Sequence, residues 1–109
     1  MIEFDEKRIS INTDKAGFEI LWDEIYKVNY YKYDCISKEV ACLCFDYEYG
    51  EFVEVFEDMP GWTSLIEKLH ELLPLKNEKW YDDLKNISSK DEPIEIYKKI
   101  GPETMQKSI

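Results

Sequence analysis

The fold is decided by residues 39–67, which read EVACLCFDYEYGEFVEVFEDMPGWTSLIE. Alternating apolar residues on both sides of a turn rich in Tyr and Glu predict a β-hairpin, and apolar residues three and four apart then predict a helix. The stretch contains eight acidic residues and no Lys or Arg. We expect the segments before it to pair with the hairpin and the segments after it to pack on it.

Both faces of the first predicted strand, residues 39–45, are apolar, because alternate residues of a strand point to opposite faces. One face carries Ala41, Leu43 and Phe45, and the other carries Val40, Cys42 and Cys44. A strand that is apolar on both faces is typical of the middle of a sheet. Gly50 can supply the positive φ of the turn, and the returning strand, residues 52–56, places Val53 and Val55 on the core side.

Residues 62–73 predict an amphipathic helix that ends before Pro74. Its apolar stripe consists of Trp62, Leu65, Ile66, Leu69, Leu72 and Leu73. Asp58 is a candidate N-cap. Ser64 and Glu67 could instead form a capping box one turn later.

The rest of the chain predicts further strands and their connections. Strands are expected at residues 3–13, 16–22, 28–33 and 94–100, and a helical turn is expected at residues 23–25. We expect residues 75–92 to form a crossing segment that Trp80 pins to the core, and residues 101–109 to form a frayed tail. We therefore expect residues 1–109 to form a single α+β domain with a core from about residue 3 to about residue 100. The expected architecture is a mainly antiparallel sheet of about five to seven strands with one long amphipathic helix packed on it.

The charge balance narrows the classes of partner. The chain carries 24 acidic and 14 basic residues, for a net charge of −10. This balance repels phosphate backbones and anionic membranes, so we expect neither nucleic acid nor a membrane as a direct partner. It attracts and steers a basic protein; the alternative interpretation is that the charge serves solubility alone.

The three cysteines predict a cytoplasmic protein with reduced thiols, because an odd number of cysteines without disulfide spacing is typical of a reducing compartment. Cys42 and Cys44 are expected on the same face of one strand, where they would not bond each other. Residues 1–10 mix charged with isolated apolar residues, unlike a signal peptide. No run approaches the roughly 20 apolar residues of a membrane helix.

No catalytic motif is present, and we expect neither an enzyme nor a cofactor. His70 lies beside the apolar stripe of the predicted helix, as a surface histidine would, and no nucleophile is placed to work with it. Together with Cys35, Cys42 and Cys44 it could supply four zinc ligands, but the spacings match no common zinc pattern. Residues 46–51 are too few for a calcium loop and lack its distal Glu. We therefore expect no metal site.

The hairpin combines tyrosine and phenylalanine with acidic residues. Tyr is well suited to protein interfaces because it is large, stiff and half polar. The alternative is that these rings only cover the sheet. The predicted partner-binding residues are Asp46, Tyr47, Glu48, Tyr49, Glu51, Phe52, Glu54 and Phe56.

The chain shows two resemblances to known families, and the first rests on the pattern I-x-W-D-E-I-x-x-V followed by strand, Gly turn, strand and amphipathic helix. The pattern is formed by Ile20, Trp22, Asp23, Glu24, Ile25 and Val28. Over residues 16–73 this rhythm resembles bacterial pleckstrin-homology-like domains. The resemblance implies a bent antiparallel sheet closed by a helix, and a non-catalytic adaptor that binds a peptide or a lipid.

The second resemblance rests on V-E-V-F-E-D-M-P-G-W at residues 53–62, with Leu-Ile and Leu-Pro downstream and Tyr-Lys-Tyr-Asp at residues 31–34 upstream. Over residues 16–97 the chain resembles small immunity proteins of bacterial contact-dependent inhibition and polymorphic-toxin systems. These bind a toxin domain, often a nuclease, and block it. The resemblance and the acidic surface together imply an immunity protein, monomeric when free, that neutralises a basic toxin domain. The alternative is the pleckstrin-homology-like adaptor.

Overall fold

The structure is a computed structural model that describes residues 1–48 and 50–99, with the backbone alone for Glu48. The frayed tail expected at residues 101–109 and Tyr49 lie outside the described residues. The strands are β1 (Ile2–Phe4), β2 (Arg8–Asn12), β3 (Gly17–Leu21), β4 (Lys27–Cys35), β5 (Lys38–Glu48), β6 (Glu51–Phe56) and β7 (Ile94–Lys98). The helices are α1 (Trp62–Leu72) and α2 (Trp80–Leu84), and a short 3₁₀ turn spans Trp22–Glu24.

The described strands form two antiparallel sheets. The first has the order β1-β2-β3 and the second the order β6-β5-β4-β7. The expected α+β class and antiparallel pairing are confirmed, as is the number of strands, but the single sheet that we expected is wrong. The 3₁₀ turn separates the two sheets: the Trp22 amide donates to the Lys7 carbonyl, and the chain after the turn begins a new ladder with β5.

β5 is one of the two inner strands of the second sheet, which agrees with the predicted place in the middle of a sheet. It pairs with β4 on one side and with β6 on the other. Leu43 and Phe45 are completely buried on its inner face. Gly50 has a φ of 75° in the turn to β6, which confirms its predicted role. The hairpin therefore presents one face to the core and leaves the opposite face for other contacts.

The core is one cluster of apolar side chains from both sheets and both helices. The Trp22 ring packs edge-on against Phe45 with 6.2 Å between centroids. On the other side, Trp80 of α2 packs against Tyr30 of β4 at 5.3 Å. Trp80 therefore pins the crossing segment as predicted, and β7 then returns along β4. Neither helix in the described part of the chain is long and apolar enough to cross a membrane.

Helix α1 has 11 residues and starts differently from the prediction. The N-cap is Gly61, with no side-chain hydrogen bond to the helix end, so the expectations of an Asp58 cap and of a Ser64–Glu67 capping box are wrong. The reason is a turn before the helix, in which the Trp62 amide donates to the Met59 carbonyl at 3.1 Å. Helix α1 ends one residue before the predicted end at residue 73, and with 11 residues it has the ordinary length of a helix and is not the long helix expected.

Gly61 fixes the corner between the hairpin and α1. Its φ is 100°, and a Cβ at this position would lie 2.1 Å from the Ile2 carbonyl oxygen. We expect Gly61→Ala to lower the free energy of unfolding by about 2–4 kcal/mol, from backbone strain and the forced displacement of β1. Urea unfolding followed by circular dichroism measures this difference.

Gly50→Ala is the matched control. Gly50 also has a positive φ, but a Cβ there meets no atom within 4 Å. We expect a loss of only about 1–2 kcal/mol, the cost of the left-handed backbone alone. Equal losses for the two variants would show that the contact with Ile2 contributes nothing.

Candidate protein-binding surface

The candidate site is the outer face of the second sheet, on the side away from the core. Alternation along β4, β5 and β6 places every second side chain of each strand on this face. The outer face is defined here as Asn29, Tyr31, Tyr33, Cys42, Cys44, Asp46, Phe52, Glu54 and Phe56. Strand register brings Cys44 opposite Glu54 and Asp46 opposite Phe52, so residues distant in sequence become neighbours.

Glu54 accepts hydrogen bonds from two tyrosines of this face. The hydroxyls of Tyr31 and Tyr33 both donate hydrogen bonds to its Oε2, the latter at 2.5 Å. The Cys42 thiol lies 3.8 Å from the same oxygen. Hydrogen bonds to a carboxylate are among the stronger ones in proteins. The two phenols therefore hold the Glu54 side chain in one place on the middle of the edge strand β6.

Both phenols stay protonated while they make these bonds. Burial raises the pKa of Tyr31 well above its usual range, and the hydrogen bond to Glu54 raises it further. The pKa of Tyr33 is also raised, chiefly by its hydrogen bond to Glu54. Because the folded-state pKa values lie above those of the unfolded chain, the stabilisation is complete below about pH 10 and is lost only at higher pH.

Aromatic rings form a row across the outer face. Tyr31 and Tyr33 make an edge contact with 5.5 Å between centroids, and Tyr33 lies 5.7 Å from Phe56. Phe52 stands near the turn with 58% of its surface exposed, and Tyr33 is 41% exposed. Several aromatic rings on one face, two of them exposed, can contribute to an interface with another protein.

A shallow open groove of about 360 Å³ runs between these rings and the carboxylates. Its lining residues are Asn29, Tyr31, Tyr33, Cys44, Asp46, Phe52, Glu54 and Pro93. No Lys or Arg is among them. One of the groove's carboxylates is paired with a base outside the lining, since Lys27 Nζ lies 3.6 Å from Asp46 Oδ2. The groove is therefore aromatic and acidic.

The cysteines and His70 form no reactive centre within the described residues. Cys42 and Cys44 are free and buried; burial raises the pKa of Cys42 to about 12 and that of Cys44 to about 11. In residues 1–48 and 50–99, no group of three His, Cys, Asp or Glu side chains is arranged to hold a metal ion. His70 is exposed on α1.

Thiol labelling will distinguish these cysteines. Thiolate is the reactive form, so buried thiols with a raised pKa react slowly. In the native protein at pH 8, we expect Ellman's reagent to modify one thiol quickly, that of the exposed Cys35. After unfolding in guanidinium, we expect it to modify all three thiols. Cys35→Ser should remove the fast phase. Rapid reaction of Cys42 or Cys44 would mean that the outer face opens readily.

The structure brings only some of the predicted partner-binding residues together. Asp46, Phe52, Glu54 and Phe56 lie on the outer face, and Glu51 is exposed beside the turn. The Tyr47 ring instead packs against the core cluster. The Glu48 side chain and Tyr49 lie outside the described part of the chain.

Tyr31 and Tyr33 belong to the outer face but are not among the predicted partner-binding residues. Their alternation along β4 was visible in the sequence, and it separates them from Tyr30, which is buried in the core. The register of β4 with β5 could not be predicted from the sequence. It pairs Tyr31 with Cys42 and thereby places the rings of Tyr31 and Tyr33 beside Glu54.

Comparison of the chain with protein-family models, with curated proteins and with solved structures gave no match.

Proposed function

We propose that this chain is a non-catalytic protein that binds a basic protein domain through the outer face. The observation that carries the proposal is the exposed Phe52 beside the carboxylate of Glu54, on a sheet face where Tyr33 is also exposed. Aromatic residues contribute most of the binding energy in many interfaces. The groove beside these rings is lined by two carboxylates and by no Lys or Arg, which suits a basic partner.

Charge complementarity supports a basic partner. The net charge is −10, and residues 39–67 contain no Lys or Arg. Such a surface attracts a basic protein over long range and raises its association rate. The aromatic row then slows dissociation, because most differences in affinity between related interfaces lie in the dissociation rate.

The resemblance to immunity proteins favours a toxin domain as this partner, and within that class a nuclease. A nuclease is basic where it holds nucleic acid. Carboxylates on a rigid sheet can occupy the positions of phosphates and exclude the substrate. We infer that the protein acts in the cytoplasm, as a monomer until it meets the toxin.

Co-expression tests this function. If the chain is an immunity protein, the gene next to its own should encode a toxic domain, and co-expression should restore growth of cells that produce it. The purified proteins should form a one-to-one complex on size-exclusion chromatography. The proposal is refuted if co-expression does not restore growth and the purified chain forms no complex with the product of the neighbouring gene.

The second candidate is a pleckstrin-homology-like adaptor. It is favoured by the order of the elements, in which the antiparallel strands β1 to β6 precede α1. The acidic groove suits a basic peptide in this role and not a phosphoinositide. Binding to a basic peptide, with no binding to a neighbouring toxin, would favour the adaptor over the immunity protein.

A further inference from the structure

The groove of the outer face has the chemistry of a site for one cationic side chain. Asp46 and Glu54 occupy diagonal positions on β5 and β6, because Asp46 is opposite Phe52 and Glu54 is opposite Cys44. Diagonal neighbours on one face are about 7–8 Å apart at their Cα atoms, within reach of a single long side chain. Both carboxylates line the groove.

The two carboxylates differ in the groups that contact them. Asp46 has a cation close by, since Lys27 Nζ is 3.6 Å from its Oδ2. Within the described part of the chain, Glu54 pairs with no cation. Tyr31, Tyr33 and Cys42 all approach its Oε2. Its other oxygen, Oε1, is the one that none of these three groups uses.

Aromatic rings supply the walls of the groove. Phe52 is more than half exposed, and Tyr31 and Tyr33 line the same groove. A cation over an aromatic ring is stabilised by about 0.5–1 kcal/mol at an exposed site. The rings therefore add to the attraction of the carboxylates for a cation.

We propose that this groove binds an arginine side chain of the basic partner, with the guanidinium against Phe52 and hydrogen-bonded to Glu54. The inference rests on the proposed function, since the arginine is supplied by the protein that the outer face meets. It goes further by naming the chemical group that is recognised and the residues that recognise it.

Arginine fits the groove better than lysine. The guanidinium is planar and weakly hydrated, stacks on aromatic rings and presents donors in a fork to a carboxylate. An ammonium is compact and strongly hydrated, and it gains less from an open aromatic wall. The fork can donate to Oε1 of Glu54 and leave the two tyrosine bonds to Oε2 in place.

Three short peptides test this inference without the partner. We propose to titrate isotope-labelled protein with acetyl-Gly-Arg-Gly-amide, with the lysine analogue and with the citrulline analogue, which keeps the shape of arginine but has no charge. Signals of Phe52, Tyr31 and Glu54 should shift saturably with the arginine peptide. We expect several-fold weaker binding of the lysine peptide and no saturation with citrulline.

Variants locate the binding. Glu54→Gln keeps an oxygen that accepts the tyrosine bonds and should weaken arginine binding about tenfold. Phe52→Ala should weaken it about two- to fivefold. The matched controls are Glu67→Gln on α1 and Phe18→Ala on β3, which replace an exposed acid and a 43% exposed ring elsewhere. Circular dichroism of each variant shows that it is folded.

The outcomes separate this inference from the proposed function. Equal binding of the arginine and lysine peptides, or equal losses for Glu54→Gln and Glu67→Gln, would overturn the arginine site. If the protein then still protects cells from the toxin, the proposed function stands without it. Arginine binding at the groove together with failure to protect would instead overturn the proposed function.

Discussion

Replacing Phe45 by alanine is expected to lower the free energy of unfolding by about 3–5 kcal/mol. The ring is completely buried on the inner face of β5 and packs against Trp22. Its removal deletes apolar contacts and leaves a cavity that the two flanking strands prevent from closing. Because domains are stable by only about 5–15 kcal/mol, this loss is a large share of the total free energy of unfolding. Urea titration followed by tryptophan fluorescence measures the loss.

Phe52→Ala provides the matched control, since it removes the same ring from the opposite face of the same hairpin. Phe52 is 58% exposed. We expect a change in stability within about 0.5 kcal/mol, as for most surface substitutions. The two variants together therefore test which face of the sheet is the core. A large loss for Phe52→Ala would show that the outer face is needed for folding, and it would argue against a surface kept open for a partner.

The hairpin was predictable because its information is local. Alternation with a period of two assigns Leu43 and Phe45 to one face, and Gly50 marks the turn. The division into two sheets was not predictable in this way. Trp22 fixes the end of the first sheet through two hydrogen bonds. Its Nε1 donates to the Asp5 carbonyl across 17 residues, and its backbone amide donates to the Lys7 carbonyl. No local pattern encodes such contacts.

The start of α1 also depends on contacts that are distant in sequence. Asp58 has the usual chemistry of an N-cap, and Gly61 has weaker intrinsic preference for that position. The packing of β1 decides the outcome, because the Ile2 amide donates to the Pro60 carbonyl at 2.7 Å and brings the backbone against Gly61. The position that needs no side chain therefore becomes the N-cap.

The candidate site was predicted in part, and Tyr47 shows why the rest was not. The sequence predicts that Tyr47 lies in the turn between the two strands, where its ring would be exposed to a partner. Strand β5 extends to Glu48, so alternation from Phe45 continues and Tyr47 packs on the core side. Tyr31 and Tyr33 take its place on the outer face through the register of β4 with β5.

Charge reversal at two positions is expected to have the largest effect on function. In the double variant Glu51→Lys/Glu54→Lys, the bases would repel a basic toxin, and Tyr31 and Tyr33 would lose the carboxylate to which they donate. We expect affinity for the toxin to fall at least about a hundredfold, with slower association at low salt and a weaker dependence on salt. Stopped-flow fluorescence over a series of salt concentrations measures both rates.

Glu3→Lys/Glu67→Lys separates the local effect from the global one. Glu3 and Glu67 are exposed on β1 and α1, and both double variants change the net charge from −10 to −6, because each reversal adds two units. If the outer face is the binding surface, this control should slow association slightly and leave dissociation unchanged, since only distant steering is reduced. Equal effects of the two double variants would mean that overall charge attracts the partner and that contact is made on another surface. A fast dissociation found only for Glu51→Lys/Glu54→Lys would instead place the contact on the outer face.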